Sequence, residues 1–330
     1  MRPAGAWLAA LALGGCAESP TYLRTDGYIG DRVALLGWVL LAIASAVVVV
    51  ITVLVLAAVF RRRPGAETRL GRSGGGIRWI VVGGIVVPAV ILLGVLLYAT
   101  TTYAEVVYPA AKPALTVQVV GHRWWWELRY AGATPSDVFV TANELHLPVG
   151  QPVRLELATA DVIHSFWVPA LAGKTDLIPG QRNVAWIEAD RPGRYWGHCG
   201  EYCGLQHANM MLTVVAEPPA AFARWAEGQR RPAEVPAATP AQAGQAVFTR
   251  SACALCHAVR GTGAGGGLGP DLTHLASRGT IAAGVLPNRR GHLAGWVANP
   301  QSIKPGVLMP SVPLSSTDLN ALLAYLESLH

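Results

Sequence analysis

Two long stretches without a charged residue, 33–60 and 79–104, limit this chain to a small set of architectures. Each exceeds the ~20 residues that an α-helix needs to cross the hydrocarbon core of a bilayer. One such run could be a buried helix of a soluble protein, but two in succession are hard to bury and read as a membrane hairpin. Pro88 falls in the second run, where membrane helices tolerate it. Between the runs stand Arg61, Arg62, Arg63, Arg69, Arg72 and Arg78 against one acid, Glu67. Positively charged loops stay on the cytoplasmic side, so both ends of the chain are expected outside. This loop carries five of the chain's six net positive charges. The basicity therefore reports topology and gives no ground for nucleic-acid binding.

The densest chemistry lies in Cys199-Gly-Glu-Tyr-Cys203-Gly-Leu-Gln-His207-Ala-Asn-Met210, with a further imidazole, His164, upstream in an apolar segment. Thiolate and thioether are soft donors that favour copper, and imidazole suits copper equally well. One Cys, two His and an axial Met form a mononuclear blue-copper set. The second Cys lets two sulfurs bridge two copper ions, with one His on each. The alternatives are a disulfide and a Cys2His2 zinc site, the latter leaving Met210 without a role. Met210, one turn beyond His207, is preferred to Met211 as the thioether.

This block resembles the dinuclear copper (CuA) site of subunit II of haem–copper cytochrome c oxidases. Gly121-His-Arg-Trp-Trp-Trp126 and His164-Ser-Phe-Trp-Val-Pro169 extend the likeness. The resemblance implies that His164, Cys199, Cys203, His207 and Met210 ligate copper through their side chains. It implies that Glu201 ligates through its backbone carbonyl and offers its carboxylate to a magnesium ion facing subunit I. His198 stands where many relatives carry Gln. Quinol-oxidising relatives lack these ligands, which disfavours quinol as the substrate. Trp124 matches the family's aromatic at the electron-entry surface. Its competing role is packing: on a strand, Trp124 and Trp126 share one face and Trp125 the other.

A second signature, Cys253-Ala-Leu-Cys256-His257, is the C-x-x-C-H motif of c-type haem attachment. Two thiols bond the haem covalently and His257 supplies the proximal iron ligand. Pro270 stands where small class I cytochromes c place a carbonyl that accepts the His Nδ1–H, a bond that fixes the ring. Of the four methionines only Met309 remains for the distal side, and Met/His ligation suits an electron carrier. His292 is the rival ligand, in a stretch that reads as an exposed loop; His274 and His330 read as surface or packing residues. Leu319, Leu322, Leu323 and Leu326 have helical spacing.

The organisation follows. Residues 1–15, ending in Leu13-Gly-Gly-Cys16, resemble a bacterial lipoprotein signal with Cys16 acylated; a short secretory signal cleaved nearby is the alternative. Residues 16–104 hold the hairpin. Residues 105–216 alternate β-branched and aromatic residues between turns, which argues for a β-sandwich; the resemblance makes it cupredoxin-like. Residues 217–240 are rich in Pro and Ala and read as a semi-rigid linker with room for a short helix near 222–230. Residues 241–330 form a small, all-α class I cytochrome c domain.

The whole resembles subunit II of a caa3-type oxidase, the electron-input subunit of a terminal oxidase in the bacterial inner membrane with both metal domains on its outer face. That implies oxidase subunits I and III, membrane lipid, and cytochrome c or a membrane donor as partners, with oxygen reduced in another subunit. A copper-containing nitric oxide reductase subunit and a copper-delivery or redox-sensing lipoprotein are the alternatives. Residues 105–216 hold eight Lys or Arg against ten Asp or Glu, and residues 241–330 six against three. Opposite net charges lead us to expect a salt-sensitive encounter between the two domains over Trp124.

Overall fold

The computed structural model describes residues 21–61, 75–109, 112–132, 134 and 137–330. The expected signal segment, Cys16 and the loop arginines from Arg62 to Arg72 lie outside the described residues. Two helical stretches, Tyr28–Phe60 (α1) and Gly76–Val107, are long and apolar enough to cross a membrane. The second is α2 (Gly75–Val81) and α3 (Val87–Val107), joined by a π-helical turn at Val82–Val86. Pro88 explains the wide turn: its ring would clash with the carbonyl four residues back, and it has no N–H to donate. Arg32 and Glu105 pair at 3.2 Å across the helices. The start of α1 is tied down by Gly30, whose N–H donates to the Leu171 carbonyl at 3.0 Å.

The middle of the chain is a cupredoxin-like β-sandwich. Its strands are β1 (Leu115–His122), β2 (Trp125–Tyr130), β3 (Phe139–Ala142), β4 (Glu144–Pro148) and β5 (Val153–Thr159). They continue with β6 (His164–Trp167), β7 (Thr175–Leu177), β8 (Asn183–Ile187), β9 (Gly193–Cys199) and β10 (Met211–Glu217). One sheet runs β3-β2-β1-β5-β8 and the other β4-β10-β9-β6-β7. Alternation places Val117 and Val119 of β1 inward, against Trp126 and Leu128 of β2 and Leu145 and Leu147 of β4. Each such buried apolar side chain contributes about 1.5–3 kcal/mol relative to exposure.

The expected linker is divided by what it buries. Its first half is helix α4 (Pro219–Arg230), which lays Phe222, Trp225 and Ala226 on the sandwich core. Trp225 stacks on His146 with ring centroids 4.0 Å apart. Phe222, Ala226 and Gln229 recur at helical intervals on one face, so the short helix allowed for near 222–230 is present and lies docked on the sandwich.

The remaining helices build the cytochrome c lobe. Helix α5 (Thr239–Arg250) crosses the C-terminal helix, and a side chain at Gly244 would overlap the Ala321 carbonyl, so only glycine permits that approach. A single turn, α6 (Cys253–Cys256), is followed by the strand pair β11 (Thr280–Ile281) and β12 (Leu286–Pro287). Then come α7 (Arg290–Ala298), α8 (Pro300–Ile303) and α9 (Ser316–Leu326). The Ser315 hydroxyl caps α9 by accepting the Asp318 N–H at 3.0 Å. Val247, Phe248, Leu322 and Tyr325 fill the core between α5 and α9.

Candidate metal centres

Sheet pairing assembles the first centre. Phe166 of β6 opposes Cys199 of β9, and Gly200 donates its N–H to the Ser165 carbonyl at 2.9 Å. This register sets His164 beside the end of β9. The loop from Cys199 to Met210 closes on itself, since the Cys199 N–H donates to the Met210 carbonyl at 2.9 Å. Sulfur Sγ of Cys199 then lies 3.9 Å from Nδ1 of His164 and 3.1 Å from the Glu201 backbone oxygen. Sulfur Sγ of Cys203 lies 3.6 Å from Nδ1 of His207 and 3.9 Å from Sδ of Met210. Ligand atoms of His164, Cys199 and Cys203 fall within 4.8 Å of one another, and all three residues are buried.

The electrostatics suit a soft cation. The neighbouring Cys203 thiol and the His164 ring hold Cys199 far below the usual thiol range, while the Cys199 sulfur and burial push Cys203 up. Thus one thiolate is already favoured in a buried pocket that offers two sulfurs, two ring nitrogens, a thioether and a carbonyl. Asp161 was missed in the sequence reading. Its Oδ1 lies 2.8 Å from Nε2 of His164, which turns Nδ1 toward Cys199. Burial opposes ionisation of Asp161, but bonds from His164 and from the N–H groups of Val162 and Arg123 prevail and hold it at about 2. A carboxylate three residues before a ligating histidine was the available signal. The Glu201 carboxylate is exposed and paired with Lys174 Nζ at 3.1 Å, so a magnesium ion there would have to displace that pair.

The second centre surrounds a cavity of about 300 Å3 lined by Cys253, Cys256, His257, Pro270 and Met309. Cys253 and Cys256 sit one helical turn apart on one face of α6. Nδ1 of His257 meets the Pro270 carbonyl at 2.8 Å, so Nδ1 carries the proton and Nε2 keeps a free lone pair. Burial lowers the ring's pKa and keeps it in the neutral, ligating form. A Cβ at Gly269 would come within 2.6 Å of Cε1 of this ring, so glycine is required for the loop to lie against it. Gln301 fixes the segment carrying Met309 by donating to the Met309 carbonyl at 3.0 Å. His292 is elsewhere, exposed on α7 and bonded through Nδ1 to the Pro287 carbonyl at 3.0 Å. These residues fit a covalently held haem with His and Met ligands.

The two centres share a wall. Trp124 lines the same cavity, and its indole N–H donates to the Cys203 carbonyl at 3.0 Å. It is 8% exposed, while Trp126 is wholly buried in the sandwich core. The lobes meet in a fitted contact: Gln206 donates to the Pro305 carbonyl at 2.8 Å, and Met211 N–H to the Ala283 carbonyl at 3.1 Å. Glu144 of β4 accepts the Thr280 N–H at 3.0 Å. Lys304 is buried there, and burial draws its ammonium down to about 7.

A cupredoxin-like sandwich and a cytochrome c fold on a two-helix stem define a membrane redox protein whose two domains imply copper and haem. Residues 133–217 match the family model described as cytochrome C oxidase subunit II, periplasmic domain, and residues 241–330 match that of cytochrome c. The chain is 36% identical to cytochrome c oxidase subunit 2 of Alkalihalophilus pseudofirmus, over 97% of this chain and 94% of that protein. It is 30% identical to cytochrome c oxidase subunit 2 of Bacillus sp. (strain PS3), over 82% of this chain and 80% of that protein. Among solved structures, the periplasmic domain of subunit II of cytochrome oxidase of Bradyrhizobium japonicum is 31% identical, with a TM-score of 0.34, covering 36% of this chain and 96% of that one. The chain belongs to the cytochrome c oxidase subunit II family.

Proposed function

We propose that the chain is the electron-input subunit of an oxygen-reducing haem–copper oxidase. Electrons from an external cytochrome c or a membrane donor enter at the cytochrome c lobe and leave from the sandwich toward subunit I. The observation that carries this reading is the position of Trp124, which lines the cavity of Cys253, Cys256 and His257 and bonds the backbone of Cys203. Bound at these sites, haem and a copper pair supply one-electron redox chemistry. The copper pair would be held by Cys199, Cys203, His164 and His207, with Met210 and the Glu201 carbonyl completing the donor set. Cys253 and Cys256 would hold the haem through their thiols, and His257 and Met309 would supply its iron ligands. His164, Cys199, Cys203 and Met210 are buried, which limits solvent rearrangement around the copper ligands when charge moves.

The same reading places the α1–α3 hairpin in the inner membrane against subunits I and III and lipid, with the arginine-rich segment in the cytoplasm and both lobes outside. Trp124→Ala tests the path. In the purified oxidase, haem reduction by the donor should proceed at the parental rate while electron arrival at the copper lobe slows by tenfold or more. Unchanged transfer in the variant would remove Trp124 from the path.

A further inference from the structure

Lysine is seldom fully buried in proteins unless its charge is paired, yet Lys304 is 2% exposed and its bonding partners are all backbone carbonyls. Its Nζ lies 3.0 Å from the Trp124 oxygen, 2.8 Å from the Asn209 oxygen and 3.1 Å from the Ala282 oxygen. Three carbonyls, which only accept, match the three N–H donors of an ammonium. The carbonyls come from three separate places. Trp124 belongs to the turn before β2, Asn209 precedes Met210 in the copper loop, and Ala282 lies between β11 and β12 of the cytochrome c lobe. Lys304 itself sits five residues before Met309 on the cavity wall.

We propose that Lys304 is the positioning residue of transfer between the lobes: its buried ammonium clamps the loop carrying Met309 to the Trp124 turn and the copper loop, so that the two lobes form one permanently docked pair. This inference rests on the haem-to-copper reading above. An apolar residue in its place would leave three buried carbonyls without donors, which is destabilising. The lobes would then relax toward alternative, hydrated contacts. A clamp inside the contact is shielded from salt, unlike an encounter between exposed charges, which is screened within ~10 Å at 0.1 M salt.

The test uses the intact, fully loaded protein. Pulsed EPR measures the distance distribution between the two paramagnetic centres, and rapid-reaction spectroscopy measures transfer between them. The parent should give one narrow distance and a rate independent of salt. Lys304→Met should broaden the distribution, slow transfer at least tenfold and make it salt-dependent, with the haem and copper spectra unchanged. An unchanged distribution, or a broadened one with an unchanged rate, overturns the proposal while leaving the path intact. Absence of transfer in the parent overturns the path itself. Should Lys304→Met lose its haem spectrum, Lys304→Arg carries the test. Its planar fork keeps the charge but cannot meet three converging carbonyls, so a narrow, parental distance in that variant also overturns the clamp.

Discussion

Asp161 Oδ1 stands 2.8 Å from Nε2 of His164, while Asp161 Oδ2 accepts the backbone N–H of Arg123 at 2.7 Å. One carboxylate thus orients the His164 imidazole toward Cys199 and anchors the turn that carries Trp124. Partners of this kind typically contribute 10–100-fold in metal affinity. Asp161→Asn should weaken copper binding by about that factor, measured by competition with a chelator. Parental affinity would show that the ring is oriented by packing against Trp126 alone.

The paired cysteines predict a paired metal. Metal analysis of the purified protein should return two coppers per chain, with an EPR signal delocalised over both. Cys199→Ser or Cys203→Ser should abolish the delocalised signal, because a hydroxyl does not replace a bridging thiolate. One copper with a localised spectrum, or zinc in its place, contradicts the assignment.

In the cytochrome c lobe, Met309 and His257 line the same cavity. Haem should stay attached to the denatured polypeptide, and Met309→Ala should remove the sulfur-to-iron charge-transfer band and lower the reduction potential. Survival of that band in the variant would assign the iron to another side chain.

Glu127 supplies a pH test that involves no ligand candidate. Burial works to raise its pKa, but hydrogen bonds from His122 and Arg129 prevail and lower it. A carboxylate with a depressed folded-state pKa stabilises the fold above its unfolded value, ~4.3, and loses that contribution as pH falls through the folded one. Urea unfolding of the metal-free protein should therefore show stability falling below about pH 4, and Glu127→Gln should flatten that slope. An equal slope in the variant would assign the acid sensitivity to other carboxylates.

Sequence by itself determined the parts whose chemistry is local. Two uncharged runs dictate helices because no other backbone arrangement satisfies its own hydrogen bonds in hydrocarbon. Cys199 to Met210 and Cys253 to His257 each fit within a loop or a turn, so their spacing already carries the donor set. Alternation in 105–216 likewise announced the sandwich. Tertiary structure decided what depends on distant pairing. His164 meets Cys199 only because β6 pairs with β9, and α4 is docked only because Trp225 finds His146. The contact between the lobes was the least legible part. Net charges pointed to an electrostatic docking of the two domains over Trp124; the structure brings them together there through backbone carbonyls gathered around Lys304, a detail that net charge does not reveal. A lysine in a Pro/Gly-flanked loop reads as solvent-exposed, and every residue offers a carbonyl, so no side-chain pattern can mark which three will converge on it.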